Sequence, residues 1–128
     1  GQVFGATKRF DVELSRYLSN HLADKLTLKK IADHFHISIS QLERSSRKFF
    51  GSGVIAVYNQ KRFNYAYNLL WQTEQSMNDI AQSIGFEDLS NFSAFISKHG
   101  KQSPSKIRKS IEWKEKNEDY KIQQEEEK

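Results

Sequence analysis

Stretches of helix-spaced apolar residues alternate with short polar breaks along this chain. From Arg9 to Ala23 the apolar positions Phe10, Leu14, Tyr17, Leu18 and Leu22 follow helical spacing, with Asp11 and Glu13 near the start, which predicts an amphipathic first helix. Thr27 is placed to cap a short second helix whose Leu28, Ile31, Ala32 and Phe35 form an i, i+3, i+4, i+7 stripe. His36-Ile37-Ser38 interrupts that stripe. Ser38 or Ser40 then opens a third helix carrying Leu42, Phe49 and Phe50, and Gly51 ends it. Beyond Gly51-Ser52-Gly53 the spacing resumes in one long helix through Val54, Val57, Tyr58, Tyr65, Ala66, Leu69 and Leu70 to about Trp71. At about 1.5 Å per residue it spans close to 30 Å. Ser76 caps the next helix, with Met77, Ile80, Ala81 and Ile84; Gly85-Phe86 turns the chain; Asp88 starts a helix bearing Phe92, Phe95 and Ile96.

The pattern repeats. Ile31-Ala32 followed by Ile37 recurs as Ile80-Ala81 followed by Phe86, a period of 49 residues that slips by one at Leu42 and Phe92, so the second copy has the longer turn. Ser103-Pro104 suits a cap with proline at the first helical position. The expected fold class is all-α: two helix-turn-helix subdomains at 8–53 and 74–109, joined by a linker helix at 54–73, with a charged helix or tail at 110–128.

Composition narrows the function. Hydrophobic residues make up 37% and charged residues 28% of 128 residues, enough for a core in one compact domain or two very small ones but too short a chain for an ordinary multidomain enzyme. Six Gly and one Pro are too few turn signals for a sandwich or barrel. Without cysteine there is neither a disulfide nor a thiolate metal site, which fits a reducing cytoplasm. No apolar run reaches membrane-span length and no signal peptide opens the chain. Residues 1–109 carry a net +7 and 110–128 a net −3, so the body attracts a polyanion. Gly1 in place of Met suggests a piece cut from a larger parent, and two expectations stay open: a transcription regulator, or the DNA-binding half of one whose effector or dimerisation domain lies before Gly1. The histidines His21, His34, His36 and His99 lack metal-ligand spacing, and Gly51-Ser52-Gly53 lacks the Gly-Lys-Ser/Thr ending of a phosphate loop. With no cofactor loop and no nucleophile–base pair, enzymatic function is not expected.

In a helix-turn-helix the second helix enters the major groove while the first holds it there. Ala32 and Ala81 let the positioning helix approach closely, and Gly85 tolerates positive φ where the first copy has His36. The run Ile80-Ala81-Gln82-Ser83-Ile84-Gly85-Phe86-Glu87-Asp88-Leu89-Ser90-Asn91-Phe92, followed by Ser103-Pro104-Ser105-Lys106-Ile107-Arg108, resembles the signature of the AraC/XylS (arabinose-regulator) family of bacterial transcription factors. Leu28 to Leu42, Gly51, Arg62, Ala66 and Leu69-Leu70 resemble the family's first motif and linker helix. The resemblance implies two motifs binding successive major grooves of double-stranded DNA, and a helix near 30 Å agrees with the roughly 34 Å between such grooves. The chain departs from the family pattern at His36 and Lys101, where glycine is usual, at Ser46 and Ile96, where phenylalanine is usual, and at Val57, where a tyrosine-like ring is usual. The nearest glycine to Lys101 is Gly100, and Phe49, Phe50 and Phe95 are available to fill the core.

By position, the family's base-contacting sites fall on Ile39, Ser40, Gln41, Glu43 and Arg44 in the first reader and on Leu89, Ser90, Asn91, Ser93 and Ala94 in the second. Arg44 can bond guanine bidentately and Glu43 can accept from cytosine, though an exposed Glu-Arg pair is also ordinary surface; Asn91 suits adenine, and Leu89 or Ala94 a thymine methyl. Arg47, Lys48, Lys98, Lys101 and Lys106 lie where phosphates pass. Arg62 and Arg108 match family arginines that are either structural or phosphate-binding. The competing reading is an interaction module that docks a partner such as RNA polymerase, with DNA incidental; salt-dependent binding to duplex DNA separates the two. The isolated chain is expected to bind as a monomer.

Overall fold

The computed structural model describes residues 9–110. Six helices follow in order, α1 (Arg9–Asn20), α2 (Leu28–Phe35), α3 (Ile39–Phe50), α4 (Val54–Gln72), α5 (Met77–Ser83) and α6 (Leu89–Gly100). A further helical segment covers 104–110, and the described residues contain no strand. Residue 8 and, apart from residue 110, the charged helix or tail expected at 110–128 lie outside them. None of the helices is long and apolar enough to cross a membrane.

Two apolar clusters form, and α4 belongs to both. Phe10, Leu14 and Leu18 of α1 meet Ile31, Ala32, Phe35 and Leu42, and α4 adds Val54 and Tyr58. Its other half gives Ala66 and Leu70 to a cluster with Ile80, Ala81, Ile84, Phe92, Ile96 and Ile107. At about 100° per residue, the direction from Val54 to Ala66 turns by roughly 120°. One helix thus closes two cores that face different ways.

The repeat holds at the level of individual bonds. Thr27 Oγ1 accepts from Lys30 N at 3.2 Å, and Ser76 Oγ from Asp79 N at 3.1 Å. At the other end of each positioning helix, Ile37 N donates to Ala32 O at 3.1 Å and Phe86 N to Ala81 O at 2.9 Å. Those bonds close around a left-handed residue, His36 at φ 57° and Gly85 at φ 91°. All five pairs of counterpart residues keep the period of 49. From the caps Ser38 and Asp88 onward the period is 50, which makes Glu87 the inserted residue of the longer second turn. The new register continues through the left-handed Gly51 and Lys101. Lys101 itself, at φ 64°, takes the conformation for which the family pattern uses glycine, while Gly100 is the last residue of α6 and packs against Phe63. Ser46, where the pattern has a large ring, is buried with its hydroxyl donating to Ser52 O at 2.8 Å; Phe49 and Phe50 pack around the first core and Phe95 around the second.

α1 stops at Asn20 rather than Ala23. The Tyr58 hydroxyl, arriving from α4, donates to the His21 carbonyl at 2.6 Å, and the chain leaves the helix in a turn that still delivers Leu22 to the core. That turn touches the second unit. A Cβ on Gly85 would lie 3.0 Å from Ala23 O, and Lys25 Nζ is 3.9 Å from Glu87 Oε1.

Candidate nucleic-acid interface

Each recognition helix buries one face and presents another. In α3, Leu42, Ser45 and Ser46 point inward, while Ile39, Ser40, Gln41, Arg44, Arg47 and Lys48 are exposed. In α6, Phe92 and Ile96 are buried, while Leu89, Ser90, Asn91, Ala94 and Lys98 are exposed. These are matching positions of the repeat, so both helices offer the same face. Both begin it with an exposed aliphatic residue, Ile39 at 44% and Leu89 at 40%. Lys101 and Lys106 are exposed beyond α6.

The caps decide how much of each polar side chain is left to face outward. Ser38 and Gln41 form a reciprocal capping box, Gln41 N donating to Ser38 Oγ and Ser38 N to Gln41 Oε1, both at 3.1 Å. The carbonyl end of Gln41 is therefore engaged and its amide N–H end remains. In α6 the Asp88 carboxylate accepts from Ser90 N at 2.6 Å. Asn91 lines a cleft of about 550 Å³ between the two units, with Lys25, Arg62, Glu87 and Phe95 among its neighbours.

Two residues predicted at the DNA surface, Glu43 and Ser93, are half-buried. Glu43 is half-buried and accepts from Val54 N at 2.9 Å, because the start of α4 has a glycine cap and no side-chain acceptor of its own. Its carboxylate is thus withdrawn from the exposed row of α3. Ser93, its counterpart 50 residues on, is half-buried as well.

Arg62 and Arg108 are bonded to main-chain carbonyls inside the fold. The Arg62 guanidinium donates twice to Ile84 O, at 2.9 and 2.7 Å, and once to Asn59 Oδ1 at 3.1 Å. It lies 4.7 Å from the Phe86 ring centre, 5.0 Å from Phe95 and 5.5 Å from Tyr58. Burial pulls its pKa below the ordinary arginine value, with Tyr58 opposing the shift. Arg108 donates to Gln75 O at 2.9 Å and Thr73 O at 3.2 Å. Neither α4 nor α5 has a basic residue in its last turn, and these two arginines supply the missing donors at their C-terminal ends.

Sequence reasoning passed over two features that set the geometry. The Tyr58–His21 bond joins residues 37 apart, and Gly85 packs on Ala23 as well as supplying a turn. No local pattern carries either. The Glu43–Val54 bond did leave a trace, in a glycine where the second unit has the capping Ser103.

Residues 31–110 match a family described as a helix-turn-helix domain. The transcriptional activator RhaS of Escherichia coli is 33% identical over 95 residues, covering 74% of this chain and 34% of RhaS. The chain therefore spans about a third of the length of the curated relatives it matches. The C-terminal domain of the response regulator yesN from Fusobacterium nucleatum superposes with a TM-score of 0.73 at 25% identity, covering 79% of this chain and 99% of that one. The DNA-binding domain of AdpA, solved with a target DNA, reaches 0.73 at 19% identity, covering 80% and 93%, a likeness of fold. With two such motifs on one connecting helix, the chain belongs to the AraC/XylS-type helix-turn-helix family of DNA-binding domains.

Proposed function

We propose that the chain binds double-stranded DNA sequence-specifically, one recognition helix in each of two successive major grooves, as the DNA-binding part of a bacterial transcription regulator acting in the cytoplasm. The observation that carries this is the pairing of exposed faces: α3 and α6 present equivalent rows at equivalent points of a repeat fixed on one α4. The 19 residues of α4 span about 28 Å, close to the roughly 34 Å of a DNA turn.

In this reading Arg44 is the principal reader, bidentate to guanine, with Ser40 and Gln41 beside it and Ile39 against a thymine methyl. The second reader uses Ser90 and Asn91 with Leu89 and Ala94 as apolar contacts, while Ser93 supports the helix from inside. Arg47, Lys48, Lys98, Lys101 and Lys106 take phosphates and add affinity without sequence preference. The chain divides into units at 8–53 and 74–109 around the linker at 54–73, and binds as a monomer because both motifs lie in one polypeptide.

Selection of bound duplexes from a random pool, followed by salt titration, tests this. Expected are a site of about 20 base pairs, one chain per duplex by sedimentation, and an affinity that falls steeply with salt. Salt-insensitive binding, or capture of no duplex from the pool, would instead favour a protein-docking role.

A further inference from the structure

Glu43 stands on the recognition helix, yet its carboxylate serves another helix. The first amides of α4 need acceptors, Gly53 at its cap offers no side chain, and the first turn holds no acid. Glu43 Oε1 accepts from Val54 N at 2.9 Å across eleven residues of sequence. Fifty residues on, the second unit meets the same requirement differently. Ser103 Oγ accepts from Lys106 N at 3.3 Å, the first helical residue is Pro104, which has no N–H, and the counterpart of Glu43 is Ser93. The carboxylate is present where the local cap is absent and absent where the cap is local.

The two solutions exclude each other sterically. Gly53 has φ −65° and ψ 158°, a conformation open to any residue, but a Cβ there would come within 2.9 Å of Glu43 Oε2. Glycine at 53 makes room for the carboxylate.

We infer that Glu43 is a positioning residue: its carboxylate caps α4 in place of Gly53 and thereby fixes the pose in which α3 presents Arg44. This rests on the DNA-binding reading above and replaces the idea that Glu43 reads cytosine. Holding the negative charge at the α4 N-terminus, where the helix dipole favours it, also keeps it off the phosphate-facing row of Arg44, Arg47 and Lys48.

Four chains test the inference: the parent, Glu43→Ser, Gly53→Ser and the double variant, each taken through reversible thermal unfolding and titrated with the selected duplex and its single-base variants. Glu43→Ser should raise the unfolding constant about fivefold, the order of one lost cap, and blur discrimination at the base pair read by Arg44. Gly53→Ser should displace the flexible carboxylate and cap α4 itself. In that background Glu43→Ser should therefore change stability by less than about twofold, and the double variant should discriminate bases as the parent does. Equal cost of Glu43→Ser in both backgrounds would overturn the capping role. Lost discrimination in a double variant of parental stability would make Glu43 a base reader and overturn the positioning role. Should none of the four bind any duplex, the DNA reading falls, while the unfolding cycle still decides the cap.

Discussion

The same residue type does opposite jobs here according to its partners. Arg62 and Arg108 spend their guanidinium groups on backbone carbonyls, whereas Arg44 is exposed on the face that α3 offers outward. Arg44→Ala should therefore cost about 1–3 kcal/mol on the best duplex and relax selectivity at one base pair. Lys48→Ala should weaken all duplexes alike and lower the salt slope by about one. Parallel titrations on specific and random DNA check the contrast; equal losses on both for Arg44→Ala would make it a phosphate contact. His99 gives a pH signature. It packs on Phe95 and Phe63, and burial, with Lys98, Arg62 and Lys101 adding positive charge, holds its pKa below the usual 6.5. Below pH 6.5 the unfolded chain takes up a proton that the folded chain resists. Stability should fall as pH drops from that value, and His99→Phe should flatten this part of a pH series of melting temperatures. An unchanged slope in the variant would assign the acid sensitivity to other groups. Residue type was legible in the sequence; partnership was not, as Glu43 illustrates, since its acceptor role depends on an amide eleven positions away.

At the scale of elements, the turn after each positioning helix is one device in two chemistries. His36 at φ 57° carries a Cβ strain that Gly85 at φ 91° avoids. His36→Gly should stabilise the chain by about 0.5–1 kcal/mol, the steric relief exceeding the backbone entropy cost. Gly85→Ala should do the reverse by about 2 kcal/mol or more, because the added Cβ meets both the unfavourable φ and the Ala23 carbonyl at 3.0 Å, and backbone yields poorly. Denaturant midpoints of the two variants check the pair; equal and opposite shifts would show that φ alone matters and the Ala23 contact does not. The helices themselves were legible, since Thr27, Ser38, Ser76 and Asp88 cap where cap-forming residues precede apolar stripes. The end of α1 was not legible. Its apolar spacing runs on to Leu22, but the His21 carbonyl accepts the Asp24 amide at 3.1 Å in a turn and the Tyr58 hydroxyl of α4 at 2.6 Å, and the second of these bonds has no trace in the local pattern.

For the whole molecule, the consequence is that the two readers are held to one another by more than the helix that joins them. Arg62 on α4 closes on the Ile84 carbonyl in the second unit, its guanidinium lies against Tyr58 of the first core and Phe86 of the second, and Gly85 abuts Ala23. A fixed pair of readers should demand a fixed spacing of half-sites. Inserting five base pairs, about half a helical turn, turns the second half-site to the opposite side of the duplex, and affinity should drop to that of one unit on its own half-site. The first unit should hold that remainder, because Arg44 has Ala94 as its counterpart, so single-base changes should cost more in the half-site under α3 than in that under α6. Arg62→Ala removes two bonds to a carbonyl and a cation packed among three rings, a loss of about 2–4 kcal/mol in stability. In chains that remain folded at low temperature it should also loosen the spacing requirement, so that one- or two-base-pair insertions cost the variant less than the parent. Gel-shift titrations over a ladder of spacers read both effects. If parent and variant followed the same spacing profile, α4 alone would set the distance between the readers, and the contact through Arg62 and Gly85 would serve stability without directing recognition.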